Sequence, residues 1–272
     1  DMPKLLSLLQ TKSLFMAKMS SFEDQLEGGL TANDYLELTN EAILLDMALN
    51  FSWTSSEPRS PASISEGQEI IKEIRASKID TVFGDIVKDD AVSFYEAARE
   101  WIYVSCWHSS SHECAAMWPL YGGKNSVCIQ TTMDKLQAQV RFSNEHVTDS
   151  VIKGVEYIDH NTECFADTLY GPFISKARSF SFEKEMRILA WSDKGVPESK
   201  NKNSLPGIFS EVIDLNQLIE KIISSPAADP WFSRTVEDVC SKYKVTAPIA
   251  QSELRAGRIL TLFDTMKGES ET

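Results

Sequence analysis

The densest run of chemically capable side chains lies between Tyr103 and Tyr121. It reads Tyr103-x-Ser105-Cys106-Trp107-His108, then His112-Glu113-Cys114, then Met117-Trp118-x-x-Tyr121. Strand side chains alternate between faces, so Tyr103, Ser105 and Trp107 would share one face and Val104, Cys106 and His108 the other. A phenol beside a hydroxyl at a strand end can cradle a planar ring and its ribose. A half-buried strand whose Tyr103 and Trp107 pack on a helix uses the same residues. Cys106-x-His108-x3-His112-x-Cys114 offers the thiols and imidazoles that zinc accepts. The spacing fits no zinc pattern, and His112 and Cys114 at a helix start would point about 200° apart. No structural zinc, and no other metal, is therefore expected.

The second informative stretch is Phe180-Ser181-Phe182-Glu183-Lys184-Glu185-Met186-Arg187-Ile188-Leu189. Read as a strand, it turns Phe182, Met186 and Ile188 to the core and lines Glu183, Glu185 and Arg187 along the other face. Two carboxylates about 7 Å apart beside a guanidinium form a usable catalytic row. One could stabilise a ribosyl cation while the other positions a nucleophile, and Arg187 could hold a pyrophosphate or keep Glu185 ionised. An exposed strand, or a helix with a Glu183–Arg187 pair, is the plainer account. Phe22-Glu23-Asp24-x-x-Glu27-Gly28-Gly29 is a compact acidic loop, able to hold a hydroxyl or a cation, or simply to turn the chain.

These residues need elements to position them. Leu5, Leu6, Leu8 and Leu9 suggest a short helix, and Leu14–Lys18 a strand. Helices are expected over Asp34–Trp53, Ser65–Ala76 and Asp89–Arg99, with a loop at Ser55–Pro61. Trp101–Trp107 changes character to strand. Ser110 and Glu113 stand at capping-box spacing, which predicts a helix over Ser111–Leu120. Ser126–Thr131, Val151–Ile158, Ser179–Trp191, Ser210–Leu215 and Leu218–Ser224 read as strands. Met133–Gln139 and Trp231–Tyr243 read as helices. The pattern predicts one α+β domain over 1–272, with a mixed or antiparallel sheet core and helices around it. Within it, residues 30–100 are mostly helical, 101–225 sheet-rich, and 229–243 a C-terminal helix. The strands Trp101–Trp107, Ser126–Thr131 and Ser181–Leu189 are expected in one sheet, with Met117 and Trp118 packing on it.

The chain has 272 residues, of which 27 are Lys or Arg and 40 Asp or Glu, for a net charge of −13. Such an acidic balance argues against generic nucleic-acid binding, which depends on neutralising phosphates. Five scattered cysteines do not form a disulfide framework, and no apolar run is long enough for a membrane span. A cytoplasmic location is expected.

The blocks also occur in a recognisable order. Phe22-x-Asp24-x-x-Glu27-Gly28, Tyr103-Val104-Ser105-Cys106-Trp107, Met117-Trp118-x-x-Tyr121, Ser181-Phe182-Glu183-x-Glu185-x-Arg187 and Ile222-x-x-Ser225-Pro226 together resemble a bacterial domain-of-unknown-function family, number twenty-nine seventy-one. The order is also similar to that of ADP-ribosyltransferases. That second resemblance implies NAD as substrate, with Tyr103 and Ser105 in the middle strand. It makes Glu185 the late glutamate, Glu183 its acceptor-positioning partner and Tyr121 a stacking platform for nicotinamide. Lys18 is the nearest counterpart of the first-block cation, and His108 joins the nucleotide contacts. The implied function is an NAD-consuming transferase or glycohydrolase, in the manner of a toxin or phage-defence effector. Its expected partners are NAD or a related nucleotide, with a protein partner left open and no membrane. A non-enzymatic sensing or interaction domain and a metal-dependent hydrolase or nuclease are the alternatives, and convergence of Tyr103, Ser105 and Glu185 on one cleft separates the first from the second.

Overall fold

The computed structural model describes residues 1–50, 60–143, 146–192, 194, 197 and 202–255. It is α+β, with mixed, largely antiparallel sheets flanked by helices. The chain forms two compact units, each discontinuous in sequence: 1–14, 110–141 and 211–272 in the first, 15–109 and 142–210 in the second.

The second unit carries Glu183, Glu185 and Arg187. Within it the main-sheet strands run in the order 207–210, 15–18, Tyr103–His108, Glu185–Trp191, Asp149–Gly154. Glu185–Trp191 lies one strand in from the edge and is antiparallel to both neighbours, and opposite Tyr103–His108 it pairs Glu185 with His108, Arg187 with Cys106 and Leu189 with Val104. The face carrying Val104 and Leu189 packs into an apolar core with Met19, Phe94, Ala98, Ile102, Phe173 and Ile174. A short parallel pair, Glu156–Ile158 with Ser175–Ala177, lies apart from this sheet. Helices Ala32–Asn50, Pro61–Ala76 and Ala91–Ala98 make the early part of the chain mostly helical. In the first of them Ala42 is buried and Leu38, Leu45 and Leu49 are half-buried, the stripe expected from helical spacing. The expected helix end at Trp53 and most of the loop at Ser55–Pro61 lie outside the described residues.

In the first unit, Lys221–Ser224 pairs parallel with Ile249–Gln251 and antiparallel with Val127–Gln130. This corrects the expectation of a single sheet: Val127–Gln130 does not join Tyr103–His108 and Glu185–Trp191. Its partner lies some ninety residues downstream, and pairing between such distant segments leaves no local signal. The helix expected over Ser111–Leu120 is also replaced, by turns and a π-helical stretch over Trp118–Gly122. Pro119 supplies no N–H for a regular ladder. Glu113 is not available as a cap either, because its carboxylate accepts from Trp118 Nε1, Ser252 Oγ and the Glu253 N–H. Val151–Ile158 divides into two strands in different sheets. All five cysteines are free thiols. Among the described residues no helix is long and apolar enough to cross a membrane.

Candidate functional site

The strand expected over Ser179–Trp191 begins only at Glu185. Arg178–Glu183 is a 3-10 helix, and Lys184 turns the chain with a left-handed backbone, φ 43°. Glu183 and Glu185 therefore do not stand one pleat apart on a strand. They meet because both reach Lys176, whose Nζ donates to Glu183 Oε2 at 2.6 Å and to Glu185 Oε2 at 3.3 Å. The expectation that this row lies on the face away from the core is likewise corrected. Glu183, Glu185 and Arg187 are 5%, 6% and 0% exposed, whereas Phe182, expected in the core, is exposed.

Arg187 is the centre of the group. Its Nε donates to Glu185 Oε1 at 2.7 Å, Nη2 to Glu185 Oε2 at 3.2 Å and to Glu27 Oε2, and Nη1 to the Phe173 carbonyl at 2.9 Å. Its guanidinium also lies 5.6 Å from the Phe22 ring centroid. Glu27 Oε1 is 3.8 Å from Lys176 Nζ. Three carboxylates thus surround two cations in a buried space, where charge is tolerated only when paired.

Local structure explains how distant segments deliver these groups. Asp24 Oδ1 accepts from the Leu26 N–H, a turn that Asp favours. Gly28 follows Glu27 at φ 83° and donates its N–H to the Pro172 carbonyl at 2.7 Å. A Cβ there would stand 2.6 Å from Arg99 Cγ and 2.8 Å from Met19 Sδ, so both conformation and space require glycine. The next residue after Pro172 is Phe173, whose carbonyl holds Arg187. Lys176 sits on Ser175–Ala177, opposite Tyr157 in the parallel pair, and Tyr157 Oη accepts the Glu185 N–H at 2.8 Å.

The electrostatics divide the carboxylates. Burial raises Glu27 above the ordinary glutamate range, outweighing the opposing pull of Arg187 and Lys176. Burial also acts upward on Glu185, but the Arg187 hydrogen bonds and charge, with Cys106 and Lys176, bring it below that range. Lys176 and Arg187 lose solvation, yet their carboxylate partners hold both firmly protonated. Cys106 stands opposite Arg187, and neighbouring groups that displace water from its thiolate, followed by Glu185, push the thiol up. That shift disfavours the thiolate an activated nucleophile needs. His108 Nδ1 contacts the Glu183 carbonyl, while its Nε2 has no hydrogen-bond partner among the described residues.

The remaining expected site residues lie elsewhere. Residues directly opposite in a ladder share a face. Tyr103 is opposite Ala190 and Ser105 opposite Ile188, so the sheet separates both from Glu185 and Arg187. The cleft of Tyr103, Ser105 and Glu185 expected from the ordered motifs does not form. Lys18 is opposite Tyr103; its Nζ pairs with Glu100 at 2.7 Å and the Asn203 carbonyl at 2.9 Å, and Asn203 donates to Tyr103 Oη at 2.8 Å. Ser105 Oγ accepts from Trp107 Nε1. Tyr121, exposed on the π-helical stretch, belongs to the other unit. The cluster instead includes Glu27 and Lys176. Glu27 was visible in the acidic loop, where the cation it holds is the protein's own guanidinium. A lysine inside the apolar run Phe173–Ala177 was the available signal for Lys176.

No protein-family model, curated protein or solved structure matches the chain. The resemblances drawn from the ordered motifs stand on those residues alone.

Proposed function

We propose that the chain is an NAD-consuming enzyme of ADP-ribosyltransferase type, with Glu27, Lys176, Glu183, Glu185 and Arg187 as its charged centre. The observation that supports this best is a shared contact: Glu183 and Glu185 both accept from Lys176 Nζ, and Arg187 forks onto Glu185, so two carboxylates stand side by side against fixed cations. Carboxylates so placed are suited to separate charge-stabilising and proton-accepting roles.

In this reading the nucleotide approaches the Cys106–His108 end of its strand, not the Tyr103–Ser105 face. The ribose C1′–nicotinamide bond breaks, and its electron pair leaves with the nicotinamide nitrogen. Glu185 stabilises the cation that develops on the ribose, an interaction stronger in the transition state than in the ground state. Water or an acceptor hydroxyl bonds to C1′ and passes its proton to Glu183. His108 Nε2 completes its hydrogen bonding on a nucleotide hydroxyl.

The test is nicotinamide release from NAD by the full chain, followed by chromatography. Glu185→Gln keeps shape and removes charge, and should lower turnover roughly 10²-fold or more, about 2.7 kcal/mol, with NAD affinity little changed. Wild-type protein that neither binds nor consumes NAD overturns the proposal. Two observations favour a second reading, a non-enzymatic interaction domain: Tyr103 and Ser105 stand across the sheet from Glu185 and form no common cleft with it, and Arg187 is fully buried with internal partners, as in a group that only locks a fold. Under that reading Glu185→Gln alters stability alone.

A further inference from the structure

A separate cavity of about 570 Å³ opens in the same unit, lined by Leu30, Tyr35, Leu36, Val92, Tyr95 and Arg99 among others. Its volume is that of a small-molecule site, roughly 300–1,000 Å³. The walls are mainly apolar or aromatic, and Tyr35, Leu36 and Val92 are exposed. Among the described residues Arg99 is the only cationic side chain lining it. Its hydrogen-bond acceptors are neutral: the Gln25 carbonyl at 3.4 Å, Gln25 Oε1 at 3.1 Å and the Asp24 carbonyl at 3.4 Å. Its buried Nε has no partner among the described residues. A guanidinium offers five N–H donors, so three mostly long contacts leave it under-used and without an ion pair among the described residues. The acidic neighbours do not change this. Asp24 Oδ1 accepts from Leu26 N and Glu96 lines the cavity, but neither makes an ion pair with Arg99 among the described residues. The Arg99 stem lies against Gly28.

We propose that this cavity binds an amphipathic organic anion, whose carboxylate, sulfonate or phosphate head pairs with Arg99 while an apolar body covers Leu30, Leu36, Val92 and the two tyrosines. The inference is independent of the NAD reading, because it uses none of the five clustered charges. An anion preference would be diagnostic here. The chain carries −13 overall, so its general field repels anions and only a local cation can reverse that.

The experiment titrates the full-length protein with the fluorescent sulfonate 8-anilinonaphthalene-1-sulfonate, with cooperative urea unfolding confirming a native fold. Saturable one-to-one binding is expected, displaced by decanoate and not by decyltrimethylammonium. Arg99→Gln should weaken the dye about tenfold. Val92→Glu, an exposed position that adds a carboxylate to the cavity wall, should weaken it similarly without loss of fold, and decides the matter if Arg99→Gln does not fold. Absent binding, equal displacement by the cationic amphiphile, or an affinity unchanged in the folded variants overturns the proposal.

Discussion

Arg187 forks onto the residue two before it in its own strand, with Nε on Glu185 Oε1 at 2.7 Å and Nη2 on Oε2 at 3.2 Å. Residues i and i+2 share a strand face about 7 Å apart, a span that two long side chains close by leaning together. The same guanidinium then reaches Glu27, 160 residues away, and the Phe173 carbonyl. One side chain therefore ties the sheet to the acidic loop and to the short helix Gly171–Ile174.

Removing that side chain should be costly. Arg187→Met leaves Glu27 and Glu185 buried without their main cation, and breaking a buried pair from one side costs about 3–5 kcal/mol. Urea denaturation would measure it. Adding Glu27→Gln and Glu185→Gln to Arg187→Met should recover part of the loss, because the stranded charges are gone. A single-variant loss below about 1 kcal/mol would contradict the central role given to Arg187.

The two carboxylates should respond to pH with opposite sign. Glu185 is lowered by folding, so its contribution is present above the unfolded glutamate value of about 4.3 and is lost as pH falls through the folded value. Glu27 is raised, so its contribution is full below the unfolded value and declines as pH rises through the folded one. The stability penalty of Glu185→Gln should accordingly shrink on acidification, and that of Glu27→Gln should shrink as pH rises. Parallel denaturation series across the acid range would show whether the two penalties move in opposite directions.

Gly28 offers a test of the loop. Gly28→Ala combines a left-handed backbone with a Cβ 2.6 Å from Arg99 Cγ, whereas Gly84, at φ 95°, has open space around it. Gly84→Ala should therefore cost only backbone strain, about 1 kcal/mol, and Gly28→Ala about 1–3 kcal/mol more. Equal penalties in thermal melts would remove steric contact as the reason for glycine at this position.

The sequence supported the fold class because its signals were local. Met133–Gln139 is a helix at the expected bounds, the C-terminal helix Pro230–Lys242 is offset by one residue, and the strand Tyr103–His108 begins two residues late and ends one late. It also singled out the Glu-x-Glu-x-Arg row. What remained hidden depends on separation in the chain. Arg187 is buried because Glu27 arrives from the far end of the unit, and Lys176 meets Glu183 through a 3-10 turn that ends in a left-handed lysine. Period-two reasoning fails there: a non-glycine residue at positive φ gives no compositional warning. The face alternation of Tyr103–His108 was legible, but the register against Glu185–Trp191 was not, and that register puts Tyr103 and Ser105 across the sheet from Glu185.

Cys106 reports on Glu185 without any assumption about substrate. Its thiol is held protonated, first by neighbouring groups that displace water from the thiolate and then by the Glu185 charge, while the residue as a whole keeps exposed surface for a small reagent. Glu185→Gln removes the second cause and leaves the first. Alkylation depends on the thiolate fraction, and a neighbouring charge shifts a pKa by about 1–3 units. Iodoacetamide labelling of Cys106 should therefore accelerate at least about threefold in Glu185→Gln at neutral pH. Mass spectrometry of the Cys106 peptide separates this site from Cys128 and Cys164, which are also exposed. Cys164 supplies the internal control, since its neighbours Asp34 and Glu37 are untouched by the substitution. An unchanged ratio of Cys106 to Cys164 labelling, in a variant that still unfolds cooperatively, would mean that Glu185 does not bear its charge beside Cys106.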